Sequence, residues 1–244
     1  MRPRSQKRPT IRSRKSLIIL CILLVISIPA VIWLGLCGET FFSVTRRLPP
    51  DVLIVEGWIG SEGIRAAAEE FGRGAYRYVV TTGGKTWDRA DRDRSSYAEM
   101  AKQELIESGV PESRIIVSST GEIERQRTFQ MAATAWRSIQ HAEVRPTAIN
   151  VFTLGPHAMR SRLVYEKVFA PEVPVGVIAF IPSKYRIEPW WQSMSRAKCL
   201  LKEIIGYPSE RLLNSGRISN SPMHAAVPMT GRLLSGTDGG APVD

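Results

Sequence analysis

Residues 51–58 read DVLIVEGW, and this stretch decides the fold class. Its apolar run does not alternate with polar residues, which is typical of a strand buried on both faces of a parallel sheet. A segment of helical character follows over 61–73, with Ser61 as the expected N-cap. A buried strand followed at once by a helix predicts the first half of a βαβ unit.

The same alternation continues to residue 205. The predicted strands are 51–55, 76–82, 114–118, 148–154 and 173–180, and the predicted helices are 61–73, 95–108, 124–139, 157–169 and 189–205. Successive βαβ units require right-handed crossovers and a mainly parallel sheet. We therefore expect an α/β, Rossmann-like, doubly wound domain with a mainly parallel five-stranded sheet over 51–213, without the dinucleotide fingerprint. Residues 214–244 are rich in Gly, Ser and Pro, which predicts a disordered tail.

The N-terminal segment has the composition of a membrane anchor. Residues 16–37 carry no charge, and at about 1.5 Å per residue they are long enough to cross a bilayer. The charges at 1–15 are all basic: Arg2, Arg4, Lys7, Arg8, Arg12, Arg14 and Lys15. By the positive-inside rule this tail stays in the cytoplasm, and a linker at 38–50 leads to a domain outside it. We therefore expect a single-pass protein of the plasma (inner) membrane.

A cleaved signal peptide is the main alternative to an anchor. The apolar run is long for a signal peptide, and no A-x-A cleavage site follows it. The sequence LGLC at 34–37 is a poor lipoprotein cleavage box, because a bulky leucine precedes the cysteine. These observations favour an uncleaved anchor.

The charge balance and the cysteines limit the partners. The formal net charge is +10, of which the basic tail supplies most; a membrane address is favoured, and a tail that binds RNA or DNA is the competing interpretation. Cys199 is the one cysteine outside the apolar segment, so the domain can form no internal disulfide. Without a Cys/His cluster we expect no metal site. Asp88, Asp91 and Asp93 alternate with arginines, which favours a self-paired loop over a cation site.

The turn after the fourth predicted strand carries the clearest candidate site. Ligands of open α/β sheets bind beyond the carboxyl ends of the strands. His157 and Arg160 open a helix at that position and share one of its faces. Together with the backbone N–H groups of the helix start they would bind a phosphate, a pyrophosphate or a carboxylate. The alternative is a solvated basic turn in which His157 only caps the helix.

Other turns at the same edge supply further candidates. Glu56 could orient a ligand hydroxyl or act as a base, or pair with an arginine. Trp58 could stack on a ligand or belong to the core. Gly83 and Gly84 could present backbone N–H groups to an anion, or form a plain turn. They do not form a P-loop, because Val79 stands where that motif requires its first glycine.

Arg127 and Thr128, at the start of the third predicted helix, could face the same cleft or lie on an exposed helix face. The candidate set is therefore His157 and Glu56 as catalytic residues, with a ligand bound by Gly57, Trp58, Gly83, Gly84, Arg127, Thr128 and Arg160. The sequence identifies no cofactor and leaves the oligomeric state and any reaction open.

An ordered series of short motifs resembles the YdcF/SanA/ElyC family of bacterial envelope domains. The matching pieces are DVLIV at 51–55, VTTGG at 80–84, GVP at 109–111, RII at 114–116, Thr128, and His157-x-x-Arg160. The series covers roughly half of the chain, and an N-terminal anchor is similar to those of SanA and ElyC. The resemblance implies a role in the envelope barrier, in peptidoglycan or in its lipid carrier; one soluble relative is associated with S-adenosylmethionine. It implies no particular reaction.

The chain departs from the family pattern at polar positions. Glu56-Gly57-Trp58 replaces a glycine-rich turn, Tyr97 replaces an acid, and Gln130-Met131 replaces a Glu-Asn pair. These changes indicate a divergent branch. The leading hypothesis is an envelope protein that binds an anionic, phosphate-bearing and lipid-linked metabolite. The alternatives are a non-catalytic scaffold or regulatory module, and a cytoplasm-facing binder of nucleotide or S-adenosylmethionine.

Overall fold

The computed structural model describes residues 11–85, 96–121, 126–186 and 189–213, without the side chains of 11–15 and Arg186. The predicted disordered tail, the charged side chains of the predicted basic tail and the aspartate-containing loop at 88–93 lie outside this description.

The first helix, α1, runs from Ile11 to Phe42 and is longer than the predicted segment 16–37. Its portion Ser16–Phe42 is long and apolar enough to cross a membrane. At about 1.5 Å per residue, the whole helix exceeds the roughly 30 Å hydrocarbon core of a bilayer. The sequence analysis assigned residues 38–42 to the linker. They form the last turn of α1 instead, because the helix continues to Phe42, and this turn contacts the α/β domain.

Five strands form the sheet: β1 Val52–Glu56, β2 Tyr78–Gly84, β3 Ile115–Thr120, β4 Ile149–Leu154 and β5 Val175–Phe180. Their order is β3-β2-β1-β4-β5, and every pair is parallel. The chain moves outward from β1 in one direction and then returns to its other side with β4, so the topological switch point lies between β1 and β4. The predicted fold class is confirmed.

The described residues form five further α-helices: α2 Gly60–Arg73, α3 Tyr97–Glu107, α4 Arg127–His141, α5 Ala158–Phe169 and α6 Met194–Leu212. The first four flank the sheet, and α6 packs against α5 and α1. Residues of α4 and α5 share one apolar cluster with the sheet, and residues of α2 and α3 share the other. The sheet is therefore covered on both faces, which explains the continuous apolar run of its central strand β1.

Two predicted helix starts are wrong. Helix α2 begins at Gly60 without a side-chain cap, because a 3-10 turn at Gly57–Ile59 leads directly into it and leaves Ser61 inside the helix. Helix α6 begins at Met194 rather than at 189, since a separate 3-10 turn occupies Trp190–Gln192.

Candidate functional site

The carboxyl edge of the sheet brings several predicted residues together around His157. Glu56 is the last residue of β1, and His157 ends the 3-10 turn that follows β4. Because β1 and β4 are neighbours, both side chains meet at the switch point. His157 is 5% exposed and Glu56 is fully buried. His157 makes no capping hydrogen bond, so the alternative of a solvated capping histidine is wrong.

Glu203 of α6 is the main partner of this histidine, and the sequence analysis missed it. His157 Nδ1 lies 2.8 Å from Glu203 Oε1. Arg160 donates to the same carboxylate twice, from Nε to Oε2 at 2.6 Å and from Nη2 to Oε1 at 2.8 Å. Burial of Glu203 opposes its ionisation, but the hydrogen bonds from Arg160 and His157 outweigh burial and lower its pKa to about 2. Glu203 is therefore a carboxylate at neutral pH.

The charge of Glu203 determines the tautomer of His157. A carboxylate only accepts hydrogen bonds, so Nδ1 of His157 carries a hydrogen and donates it to Glu203. Arg160 Nη2 lies 3.0 Å from Nδ1, but both atoms are then donors and this approach is a contact only. The second ring nitrogen, Nε2, points toward Thr128 Oγ1 at 3.4 Å and Glu56 Oε2 at 3.8 Å.

Glu56 is held by hydroxyl groups rather than by an arginine. Thr153 Oγ1 donates to Glu56 Oε2 at 2.5 Å, and Ser161 Oγ donates to Oε1 at 2.9 Å. Hydrogen bonds of this kind offset part of the cost of burying a carboxyl group. Among the described residues, the predicted pairing of Glu56 with an arginine is not formed, and its ion-pairing neighbour is His157.

A buried hydroxyl without a partner lies in the same region. Tyr165 of α5 is fully buried, and its hydroxyl makes no hydrogen bond to any described residue. Burial, reinforced by the nearby Glu56, raises the pKa of Tyr165 well above its usual value. The Thr82 hydroxyl approaches Tyr165 without hydrogen-bond geometry and opposes part of this rise in the pKa. The tyrosine therefore stays protonated and retains an unused donor.

Trp58 covers His157, and Gly57 allows the neighbouring helix to approach. The Trp58 ring meets the imidazole edge-on at a centroid distance of 5.3 Å. A Cβ on Gly57 would lie 2.3 Å from the backbone oxygen of Tyr97, at the start of α3. Only glycine fits at this position, so Gly57 has a packing role.

Gly83 and Gly84 are also explained by close packing. Gly83 has a φ of +144°, and a Cβ there would lie 2.6 Å from Tyr97 Cβ. A Cβ on Gly84 would lie 2.8 Å from both Thr120 Oγ1 and the backbone oxygen of Gly121. Their use as anion-binding amides stays a prediction.

The predicted pair Arg127-Thr128 is divided between surface and site. Thr128 is buried and contacts His157, whereas Arg127 is exposed in the first turn of α4. Both predicted interpretations therefore hold, each for one residue. Gln126 precedes the helix in a left-handed conformation and provides no side-chain cap.

Two surface hollows lie away from His157 and Glu56. One, of about 390 Å³, adjoins the end of β3 and is lined by Thr120, Gln130 and Arg137 among others. The other, of about 570 Å³, adjoins the amino ends of the strands near Arg47 and Asn150. Among the described residues, no group of three or more His, Cys, Asp or Glu could hold a metal ion.

The fold and this cluster define a doubly wound α/β protein with a buried histidine–carboxylate network at its switch point, preceded by a helix that can span a membrane. Comparison with protein-family models and with curated proteins finds no match.

Proposed function

We propose that this is a single-pass protein of the inner membrane whose α/β domain lies outside the cytoplasm. In this proposal the domain binds a phosphate-bearing, lipid-linked metabolite of peptidoglycan or polysaccharide synthesis. The resemblance to the YdcF/SanA/ElyC family, as a divergent branch, is part of the same proposal. The observation that carries it is the place of Glu203, because the helix that supplies this residue to the site also packs against α1.

The contacts between α6 and α1 support a site near the membrane surface. Arg196 of α6 binds Glu39 of α1 through Nε at 3.1 Å and Nη2 at 2.5 Å. Phe42 at the end of α1 meets Tyr207 of α6 edge-on at 6.1 Å. A ligand beside Glu203 would therefore lie close to the point where α1 leaves the bilayer, which suits a ligand that is itself attached to a lipid.

The donors of the site support an anionic ligand. Glu203 engages Nε and Nη2 of Arg160, so Nη1 retains two N–H donors for another acceptor. Burial alone would lower the pKa of Arg160, but the hydrogen bonds and charge of Glu203 raise it, so the guanidinium stays charged. The predicted role of Arg127 in ligand binding stays a prediction, because its side chain is exposed on α4. Arginine suits phosphate because its N–H groups can bind two oxygens.

The same arrangement suits proton transfer. Glu203 fixes the hydrogen on Nδ1 of His157 and leaves Nε2 directed toward Glu56. A histidine oriented in this way by a carboxylate can accept a proton from water during hydrolysis. Glu56 would then stabilise the imidazolium, as a partner 3.8 Å away.

A binding measurement with a matched control tests the proposal. The full chain in nanodiscs is titrated with a polyprenyl phosphate and examined by native mass spectrometry. Replacing Arg160 with Lys keeps a positive charge beside Glu203 but removes the two Nη1 donors, and should weaken binding about tenfold, the loss of one charge-assisted contact. Arg137→Lys, at an exposed arginine of α4, should leave binding unchanged. Equal affinity in both variants, or no binding by the wild-type chain, would contradict the proposal.

The orientation of the domain needs its own test. Alkaline phosphatase or green fluorescent protein is fused after residue 213 of the full chain. An extracytoplasmic domain gives active phosphatase and a dark fluorescent fusion. The opposite pattern would favour the cytoplasmic binder of nucleotide or S-adenosylmethionine.

A non-catalytic scaffold is the second candidate function. It is favoured by one observation: His157 and Glu56 are buried under Trp58, and their hydrogen bonds are to residues of the chain itself. A scaffold predicts that His157→Gln restores the phenotype of a deletion strain as well as the wild-type gene does.

A further inference from the structure

Helix α6 carries an apolar stripe on the side that faces away from the domain. Met194, Leu201, Ile205 and Leu212 are each more than half exposed. They are separated by seven, four and seven residues, which are close to whole multiples of the 3.6-residue helical repeat, so they lie on one face. An aligned row of four exposed large apolar side chains differs from scattered surface residues and indicates a contact surface.

The opposite face of α6 is occupied by the domain. Leu200, Glu203 and Glu210 are buried there, and Glu210 Oε1 accepts a hydrogen bond from Lys167 Nζ at 2.9 Å. The apolar stripe is therefore directed outward. Lys198 and Lys202 are exposed beside it, a position from which their ammonium groups can reach lipid phosphates while their stems cover apolar surface.

The contacts between α6 and the end of α1 indicate that the two helices are not parallel. Gly38 of α1 adjoins Leu200, Glu39 binds Arg196, and Phe42 meets Tyr207. These contacts span residues 38–42 on α1 but 196–207 on α6. Helices that run side by side would contact over equal lengths, because both rise about 1.5 Å per residue. With α1 crossing the membrane, as proposed above, α6 is inclined toward the membrane plane.

Tryptophans flank this junction. Trp190 Nε1 donates to the backbone oxygen of Gly35 at 2.9 Å, which fixes the start of α6 to α1. Its neighbour Trp191 is more than half exposed. Tryptophan is enriched at the headgroup level of membranes. The tryptophans beside the contact between α1 and α6 are therefore typical of a segment at the headgroup level.

We propose that α6 lies in the interface of the bilayer that α1 crosses. Its apolar stripe contacts the acyl chains, and Lys198 and Lys202 contact the phosphates of the headgroups. The occupant of the stripe is lipid rather than a protein partner, because the stripe is continuous with the exit point of α1 and is bordered by lysines. The inference rests on the proposed anchoring by α1. It extends that function by placing Glu203 and the His157 site at the membrane surface, where a lipid-linked ligand arrives by lateral diffusion.

Photocrosslinking in the full chain tests this inference. Benzoylphenylalanine is introduced singly at positions 205, 28 and 107, and each protein is reconstituted into vesicles of phosphatidylethanolamine and phosphatidylglycerol. Ile28 lies inside α1 and serves as the positive control. Glu107 is exposed at the end of α3 and serves as the negative control. After irradiation, lipid adducts are counted by mass spectrometry.

Position 205 should give about tenfold more lipid adduct than position 107, as expected for a buried interfacial face. Adducts at position 28 but not at 205 would overturn the interfacial placement of α6 and leave the anchor intact. Adducts at 205 with another copy of the chain, instead of lipid, would overturn it in favour of self-association. No adduct at position 28 would overturn the anchor itself, and the inference with it.

Discussion

The two edges of the sheet each hold a buried glutamate that binds an arginine twice, but the clusters differ in what surrounds this pair. At the amino edge, the Glu70 carboxylate accepts hydrogen bonds from Arg47 Nε and Nη2 at 3.0 and 3.1 Å. It also accepts one from the Tyr76 hydroxyl at 3.1 Å. Asn150 joins that hydroxyl to both backbone polar groups of Leu48. These bonds fasten the segment after α1 to the sheet.

At the carboxyl edge, both members of the corresponding pair, Glu203 and Arg160, contact Nδ1 of His157. Nε2 of His157 has only long approaches to Thr128 and Glu56, and the Tyr165 hydroxyl has no partner among the described residues. Buried polar groups of a purely structural cluster are normally satisfied. The comparison teaches that one kind of ion pair can serve two purposes. At the amino edge it attaches the segment after α1 to the sheet, and at the carboxyl edge, in our proposal, it supports proton transfer and ligand binding.

The largest predicted difference concerns the two glutamates. Glu203→Gln should lower the free energy of unfolding by about 3–5 kcal/mol, because Arg160 keeps a charge that is mostly buried. Glu70→Gln should cost only about 1–2 kcal/mol, since the Arg47 side chain is 54% exposed and its charge returns to water. Denaturant unfolding of both full-length variants in the same detergent measures this difference. Equal losses would mean that the two clusters are equivalent.

The next largest effect is expected in the acid dependence of the free energy of unfolding, to which the carboxyl-edge cluster of Glu203, Arg160 and His157 contributes. The pKa of Glu203 is about 2 in the folded chain and 4.5 ordinarily. Its carboxylate therefore contributes about 3 kcal/mol to the free energy of unfolding above pH 4.5. This contribution is lost as the pH falls from 4.5 toward 2. The unfolding free energy of the wild-type chain should therefore fall more steeply below pH 4.5 than that of Glu203→Gln. Parallel curves would contradict the assigned pairing.

The amide of Asn150 provides a smaller effect confined to the amino edge. Asn150→Ala removes three hydrogen bonds of 3.1–3.2 Å and should lower the free energy of unfolding by about 2 kcal/mol. Binding of the polyprenyl phosphate should not change, because the ligand site lies at the opposite edge. A parallel loss of binding and stability would show that the two edges are coupled.

The smallest effects distinguish the two buried tyrosines. Tyr76→Phe loses hydrogen bonds to Glu70 and Asn150 and should cost about 1–2 kcal/mol in the free energy of unfolding. Tyr165→Phe removes a hydroxyl without a partner and should change this quantity by less than about 0.5 kcal/mol. Thermal unfolding of the matched pair makes the comparison. A large loss in Tyr165→Phe would show that its hydroxyl is structurally engaged.

The fold was predictable because its strands carry their signal locally. Each strand contains an apolar stretch, and each is followed by a segment of helical character, so strand number and parallel topology follow from the sequence. The boundaries of α1 and α6 were not predictable in the same way. Their ends are fixed by contacts between residues far apart in sequence, such as Glu39 with Arg196.

The site was predictable in part for the same reason. His157, Arg160 and Glu56 stand at strand ends, where the rule for parallel sheets applies. Glu203 was missed because it lies in the last helix, although a glutamate three residues after Leu200 on the buried face of α6 was an available signal. Tyr165, Thr153 and Ser161 act through tertiary contacts to Glu56 or its surroundings, for which the local sequence gives no pattern.

Nitrogen NMR of histidine most directly tests the central claim that His157 is oriented by Glu203 and faces an anionic ligand. The chain has three histidines, so ¹⁵N-histidine labelling of the full chain in nanodiscs gives few signals, and His157→Gln assigns the relevant pair. We predict a hydrogen on Nδ1 and a shift of the Nε2 resonance when a polyprenyl phosphate is added. A free chain with the hydrogen only on Nε2, or an Nε2 resonance that does not respond to bound ligand, would contradict the account.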